Sequence, residues 1–188
     1  CLVGSEMCIR DRVPRMTWDE LREMSKKGHE VSSHSWAHKN AKRLTIEQVK
    51  SEIEKNDSAI YANIGIVPRT YCYPYNYKTE EIVSMASKGR VATRTKQISI
   101  GGKSTPERFD KWLKDLMKAE DWGVGMTHGI NYGYDAFKSP SLFWEHLDKV
   151  KSMEDQIWVG TFCEVASYIK EREEIQLKVC LLYTSDAA

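Results

Sequence analysis

Short β-prone runs alternate with amphipathic helical stretches along most of this chain, and that alternation limits what it can fold into. Strands separated by helices pair in parallel through right-handed crossovers, so the pattern predicts a parallel sheet covered by helices, as a barrel or a doubly wound sheet. Thr17 reads as the N-cap of a short helix carrying Leu21 and Met24 and stopped by Gly28, and Glu30 to Ser33 follows as a strand. Thr45 to Ile64 reads as a long helix: Thr45 and Gln48 form a capping box, and Ile46, Val49, Ile53, Ile60 and Ile64 line one face. Its acidic and basic residues are expected on a solvated face. Thr70 to Tyr75 is a β-prone run that ends near Pro74, which cannot donate to a ladder. A helix from Thr79 to Lys88 stopped by Gly89, a strand Val91 to Arg94 and a loop Lys96 to Ser104 come next. Thr105 and Pro106 open a helix in which Phe109, Trp112, Leu113 and Leu116 recur at the helical interval. The chain then reads as strand Trp122 to Thr127, helix Ser141 to Met153, strand Gln156 to Thr161 and helix Phe162 to Arg172.

The chemistry-bearing residues fall at the carboxyl ends of these strands. His34 and His38 stand four apart after the first, and a helical turn there would aim both imidazoles at one point, where a divalent metal is the usual occupant. Taken alone, such a pair also fits solvated or core histidines. Tyr75 follows the second strand, and His128 continues the parity of Trp122, Val124 and Met126 at the end of another. In a parallel sheet those ends share one rim, so residues distant in sequence meet in one cleft. His29 reads as a turn residue, and His146 is assigned no role.

A chain of 188 residues is long enough for one domain with a sizeable core. Its 28 basic and 27 acidic side chains nearly cancel, which argues against a nucleic acid or an anionic membrane as partner. Nine Tyr and six Trp suit a sugar ligand and suit a core equally well. No apolar run is long enough to span a bilayer. Residues 1–12 and 177–188 lack periodicity and capping chemistry and are expected to be non-native or disordered tails around a domain at 13–176. Opening on Cys1 rather than Met marks the chain as an expected piece of a longer protein. Cys1, Cys8 and Cys180 fall in those tails, while Cys72 and Cys163 have no metal-ligand spacing and read as buried thiols.

The stretch Ser33-His34-Ser35-Trp36-Ala37-His38 resembles the second motif of the polysaccharide deacetylases, the NodB-homology group of carbohydrate esterases. Tyr73-Pro74-Tyr75 resembles the third motif and Met126-Thr127-His128-Gly129 the fifth, and the likeness runs from about Thr17 to Glu173. The resemblance implies a deformed, incomplete (β/α) barrel with parallel strands. It implies a metal-dependent hydrolase that removes acetyl groups from an N-acetylated or O-acetylated glycan. His34 and His38 would be metal ligands, the Tyr75 backbone N–H an oxyanion donor and His128 the general acid. Zinc is the expected metal, with cobalt or nickel also compatible with histidine and carboxylate ligation. A secreted or cell-envelope location is implied in the same way.

Two departures stand out. The family's first motif, Thr-Phe-Asp-Asp, which supplies the base and the third metal ligand, should precede Thr17 and is absent, as if cut off, so this chain by itself is expected to be inactive. The third-motif arginine corresponds to Cys72. That replacement supports an alternative: a glycan-binding or structural relative without catalysis. A His-x-x-x-His zinc peptidase fits less well, because its base glutamate would follow the first histidine, where Ser35 stands here.

Overall fold

The structure, a computed structural model, describes residues 16–175. The cysteines and terminal segments read as tails lie outside them. Helices dominate, and several begin where local chemistry predicts. Helix α1 (Trp18–Lys26) starts at a Thr17 capping box closed by Glu20 and ends at Lys27, just before Gly28. Helix α2 (Ile46–Ile64) starts at the Thr45–Gln48 capping box. It stops at Gly65, whose φ of 82° is a left-handed conformation that only glycine adopts without cost.

Strand β1 (Thr70–Cys72), helix α3 (Glu80–Ser87) and strand β2 (Ala92–Arg94) form a parallel crossover unit, with Thr70 opposite Ala92 and Cys72 opposite Arg94. A second parallel pair joins β3 (Ile98–Ser99) to β4 (Gly125–Met126) across helix α4 (Pro106–Ala119). Helices α5 (Pro140–Lys151) and α6 (Phe162–Glu174) complete the order. The result is a mixed α/β fold with parallel strands. Among the described residues the strands form two separate pairs, with no closed barrel wall.

Two apolar clusters sit behind the strands. Val49, Ile53, Tyr71, Tyr73, Ile82 and Ala86 lock α2 and α3 behind β1. Ile100, Phe109 and Phe137 do the same for α4 beside β3. Each large apolar side chain fully buried in this way stabilises the fold by roughly 1.5–3 kcal/mol before conformational entropy is subtracted.

Several expected strands are shorter or absent. Glu30 to Ser33 reduces to one bridge, in which the backbone of Ser33 bonds to Thr70 and Cys72 on either side of Tyr71. Polar side chains occupy the rest of that run: the Thr70 hydroxyl donates to the Glu30 carboxylate and lies 2.8 Å from Ser32 Oγ. Trp122 to Thr127 pairs only at Gly125 and Met126. Gln156 to Thr161 is not a strand at all. Gln156 and Ile157 turn back to the Met153 carbonyl, and Trp158 and Val159 remain exposed, paired with no strand among the described residues. The predicted loop Lys96 to Ser104 instead contributes β3.

Candidate functional site

The site begins with the segment after Ser33. A helical turn was expected to aim His34 and His38 together, yet the backbone is irregular here, with left-handed Ser35 (φ 70°) and His38 (φ 49°). Those two reversals do the work of the helix and bring the ring centroids to 4.9 Å. Glu52 of α2 holds the turn. Its buried carboxylate accepts from Ser35 Oγ at 3.0 Å and from the Ala37 N–H at 2.7 Å, and pairs with Lys39 at 3.2 Å. Its backbone carbonyl accepts from Trp36 N–H at 3.0 Å. Burial pushes the Glu52 carboxyl up, but the hydrogen bonds from Ala37, Lys39 and Ser35 outweigh burial and leave it below the usual carboxylate range. Glu52 was expected on a solvated face; it is a buried organiser of the histidine turn, and only the tertiary structure discloses it.

His34 Nδ1 lies 2.8 Å from the Cys72 carbonyl oxygen. A carbonyl can only accept, so Nδ1 carries the proton and Nε2 keeps its lone pair. Burial is the main cause that lowers the His34 pKa to about 4, with the His38 and Arg94 charges acting in the same direction against the Cys72 carbonyl. The ring is therefore neutral at pH 7. His38 is also held below the ordinary imidazole range, chiefly by burial, with the charge of His128 acting in the same direction. A neutral imidazole whose second nitrogen is fixed by a backbone carbonyl fits a divalent metal. His34 and His38 are thus a compatible ligand pair. Among the described residues, however, no three His, Cys, Asp or Glu side chains gather into a metal-holding group.

Tyr75 packs on this pair, its ring 4.9 Å from that of His38. It lies in a tight turn, Pro74–Asn76, in which Tyr75 and Asn76 both have φ of 56°. Such strain in non-glycine residues concentrates at functional sites.

His128 follows β4, after the Thr127 hydroxyl that bonds the Gly129 carbonyl at 2.9 Å. Its charge is felt by His38, and its ring meets Tyr134 edge to face at 5.1 Å. His29 stands outside this constellation, and His146 is buried against Phe109, stacked at 3.9 Å, a packing role. Cys72 and Cys163 are free, half-buried thiols. Arg94 was not foreseen: it stands opposite Cys72 across the β1–β2 ladder, and its buried Nε has no hydrogen-bond partner among the described residues. An arginine at the end of a strand that neighbours the Tyr-Pro-Tyr run was the available signal.

The fold defined by these elements is that of the family 4 carbohydrate esterases. A domain of this class from a multidomain xylanase of the Trinervitermes trinervoides hindgut metagenome superposes with a TM-score of 0.57 at 15% identity, covering 81% of this chain and 71% of that one. A family 4 pseudoenzyme from Bacillus anthracis gives 0.58 at 18% identity, over 79% of this chain and 50% of its own. In sequence, residues 3–92 match the family model described as polysaccharide deacetylase. A chitin deacetylase from Amylomyces rouxii is 27% identical over 142 residues, 69% of this chain and 32% of the relative. In both sequence and fold the chain is similar to the polysaccharide deacetylases. It spans between 23% and 32% of the length of the curated relatives it matches. The matched stretch begins at residue 3, inside the segment read as a tail.

Proposed function

We propose that this chain carries the histidine side of a metal-dependent hydrolase that removes acetyl groups from an N-acetylated or O-acetylated glycan. The observation that carries the reading is the hydrogen bond from His34 Nδ1 to the Cys72 carbonyl, which leaves Nε2 unprotonated on a ring whose centroid lies 4.9 Å from that of His38. His34 and His38 would hold the metal, zinc by donor chemistry and cobalt or nickel as alternatives. When bound, the metal supplies Lewis acidity to the acetyl carbonyl and to the attacking water. The Tyr75 N–H donates to the carbonyl oxygen as negative charge develops there, an interaction worth roughly 3–4 kcal/mol in comparable oxyanion holes. Protonated His128 gives its proton to the departing amine or alcohol, typically about 10² to 10⁴ in rate. The two parallel pairs are arcs of one deformed (β/α) barrel on this reading, and the protein works on glycans outside the cell or in its envelope.

Zinc titration of the whole chain and of the His34→Ala and His38→Ala variants tests the ligand assignment. Uptake should be lost in either variant; uptake that survives both substitutions overturns it.

A second reading, a non-catalytic glycan-binding relative, is favoured by Cys72 at the position of the motif arginine and by the pseudoenzyme among the structural neighbours. Zinc-dependent acetate release from an acetylated oligosaccharide separates the two. Release supports the hydrolase, and oligosaccharide binding with neither release nor zinc uptake supports the binding protein.

A further inference from the structure

Two imidazoles of the site each lean on a tyrosine ring that is turned out to solvent. Tyr75 packs on His38 and is 60% exposed; Tyr134 packs on His128 and is 80% exposed. Tyr61, Tyr132 and Tyr168 are exposed as well, so what sets Tyr75 and Tyr134 apart is that each exposed ring packs on an imidazole of the site.

Looseness of the loop does not account for the exposure of Tyr134. The segment from Gly129 to Phe137 is pinned at both ends. The Asp135 carboxylate accepts from Ser99 Oγ at 2.7 Å and from the Gly102 N–H at 3.1 Å, and the Asp135 carbonyl takes the same N–H at 3.0 Å. Phe137 is buried against Phe109. At the other end the backbone folds so closely that a Cβ on Gly129 would lie 2.0 Å from the Tyr132 carbonyl oxygen. The fold therefore holds Tyr134 outward while anchoring the residues around it.

We propose that the rings of Tyr134 and Tyr75 are stacking walls for the pyranose rings of the substrate, with Tyr134 covering the sugar on the side of His128. The proposal deepens the deacetylase reading and rests on it. A pyranose offers an apolar C–H face and a rim of hydroxyls, which matches a ring with a polar tip, and it carries no charge for a salt bridge to hold. Continuity with His38 and His128 selects a glycan over an unrelated apolar partner, because a stacked sugar would present its acetyl group to the imidazoles.

Isothermal titration of the whole chain with two neutral probes, a hexamer of N-acetylated hexosamine and an O-acetylated xylose hexamer, tests this. For whichever hexamer binds, Tyr134→Ala and Tyr75→Ala should each weaken affinity roughly fivefold to tenfold, while Tyr134→Phe stays within about twofold. The His34→Ala variant, assayed for zinc and for hexamer in parallel, should lose the metal and keep the sugar. Unchanged affinity in Tyr134→Ala, or no binding of either hexamer by the parent chain, overturns the stacking assignment. Neither result touches the zinc titration on which the hydrolase reading stands.

Discussion

His34 and Cys72, 38 residues apart, are joined by a hydrogen bond from ring nitrogen to backbone carbonyl that fixes which face of the imidazole is basic. Its pH signature follows from burial. The folded pKa of about 4 lies below the ordinary 6.5, so the unfolded chain binds the extra proton between those values. The stabilising difference is complete above about pH 6.5 and is lost as pH falls toward 4. At about 1.4 kcal/mol per unit it has a ceiling of about 3 kcal/mol, reduced by the ring's residual exposure. Urea melts from pH 7.5 to 4 should show stability falling across this window in the parent and a flatter profile in His34→Asn. Equal slopes in the two would refute the assignment.

Removing the Arg94 cation should raise the His34 pKa, because that charge opposes protonation of the ring. The Cys72 thiol, pushed up by burial and held down by Arg94, should rise as well. Histidine NMR titration and thiol-labelling rates against pH in Arg94→Met check both. A fall in either value would contradict the placement of the guanidinium.

Glu52→Ala leaves Ser35 Oγ and the Ala37 N–H without their acceptor and Lys39 without its partner. A loss of about 2–3 kcal/mol is expected, since hydrogen bonds to a buried charged group are among the costlier to break. Zinc affinity should fall with it, because the left-handed turn would relax. Glu52→Gln, which keeps acceptors for both donors, should lose less; a Gln variant as damaged as Ala would point to charge rather than hydrogen bonding.

Gly129→Ala forces the backbone between His128 and Tyr132 to move, for the new methyl group has no space beside the Tyr132 carbonyl. A cost of about 1–3 kcal/mol is expected. The His128 ring resonances should shift while those of His34 stay in place. Perturbation confined to His34 would be the opposite of what this geometry requires.

Legibility in the sequence follows the range of the interactions. The Thr17–Glu20 and Thr45–Gln48 caps form within four residues, and α1, α2 and α4 start where composition predicts. Strands need a partner that composition does not name. The apolar run Gln156 to Thr161 finds none, and Ile98–Ser99, in a stretch read as a loop because Gly101 and Gly102 follow, finds β4. The His34–His38 spacing was visible, but its cause was not. The rings converge through left-handed Ser35 and His38 and through Glu52 on a distant helix, rather than through a helical turn. Likewise nothing local announced Arg94 as the neighbour of Cys72, a relationship created by ladder register.

The Glu30 carboxylate reaches in two directions, accepting from the Thr70 hydroxyl on β1 and from the Cys163 N–H at the start of α6, 2.8 Å away. One anionic side chain thus clasps the first turn of the closing helix to the strand that orients His34. Disturbance at the carboxyl-terminal helix would be transmitted to the imidazole through that clasp, so the upkeep of the histidine pair is shared by parts of the polypeptide more than a hundred residues apart.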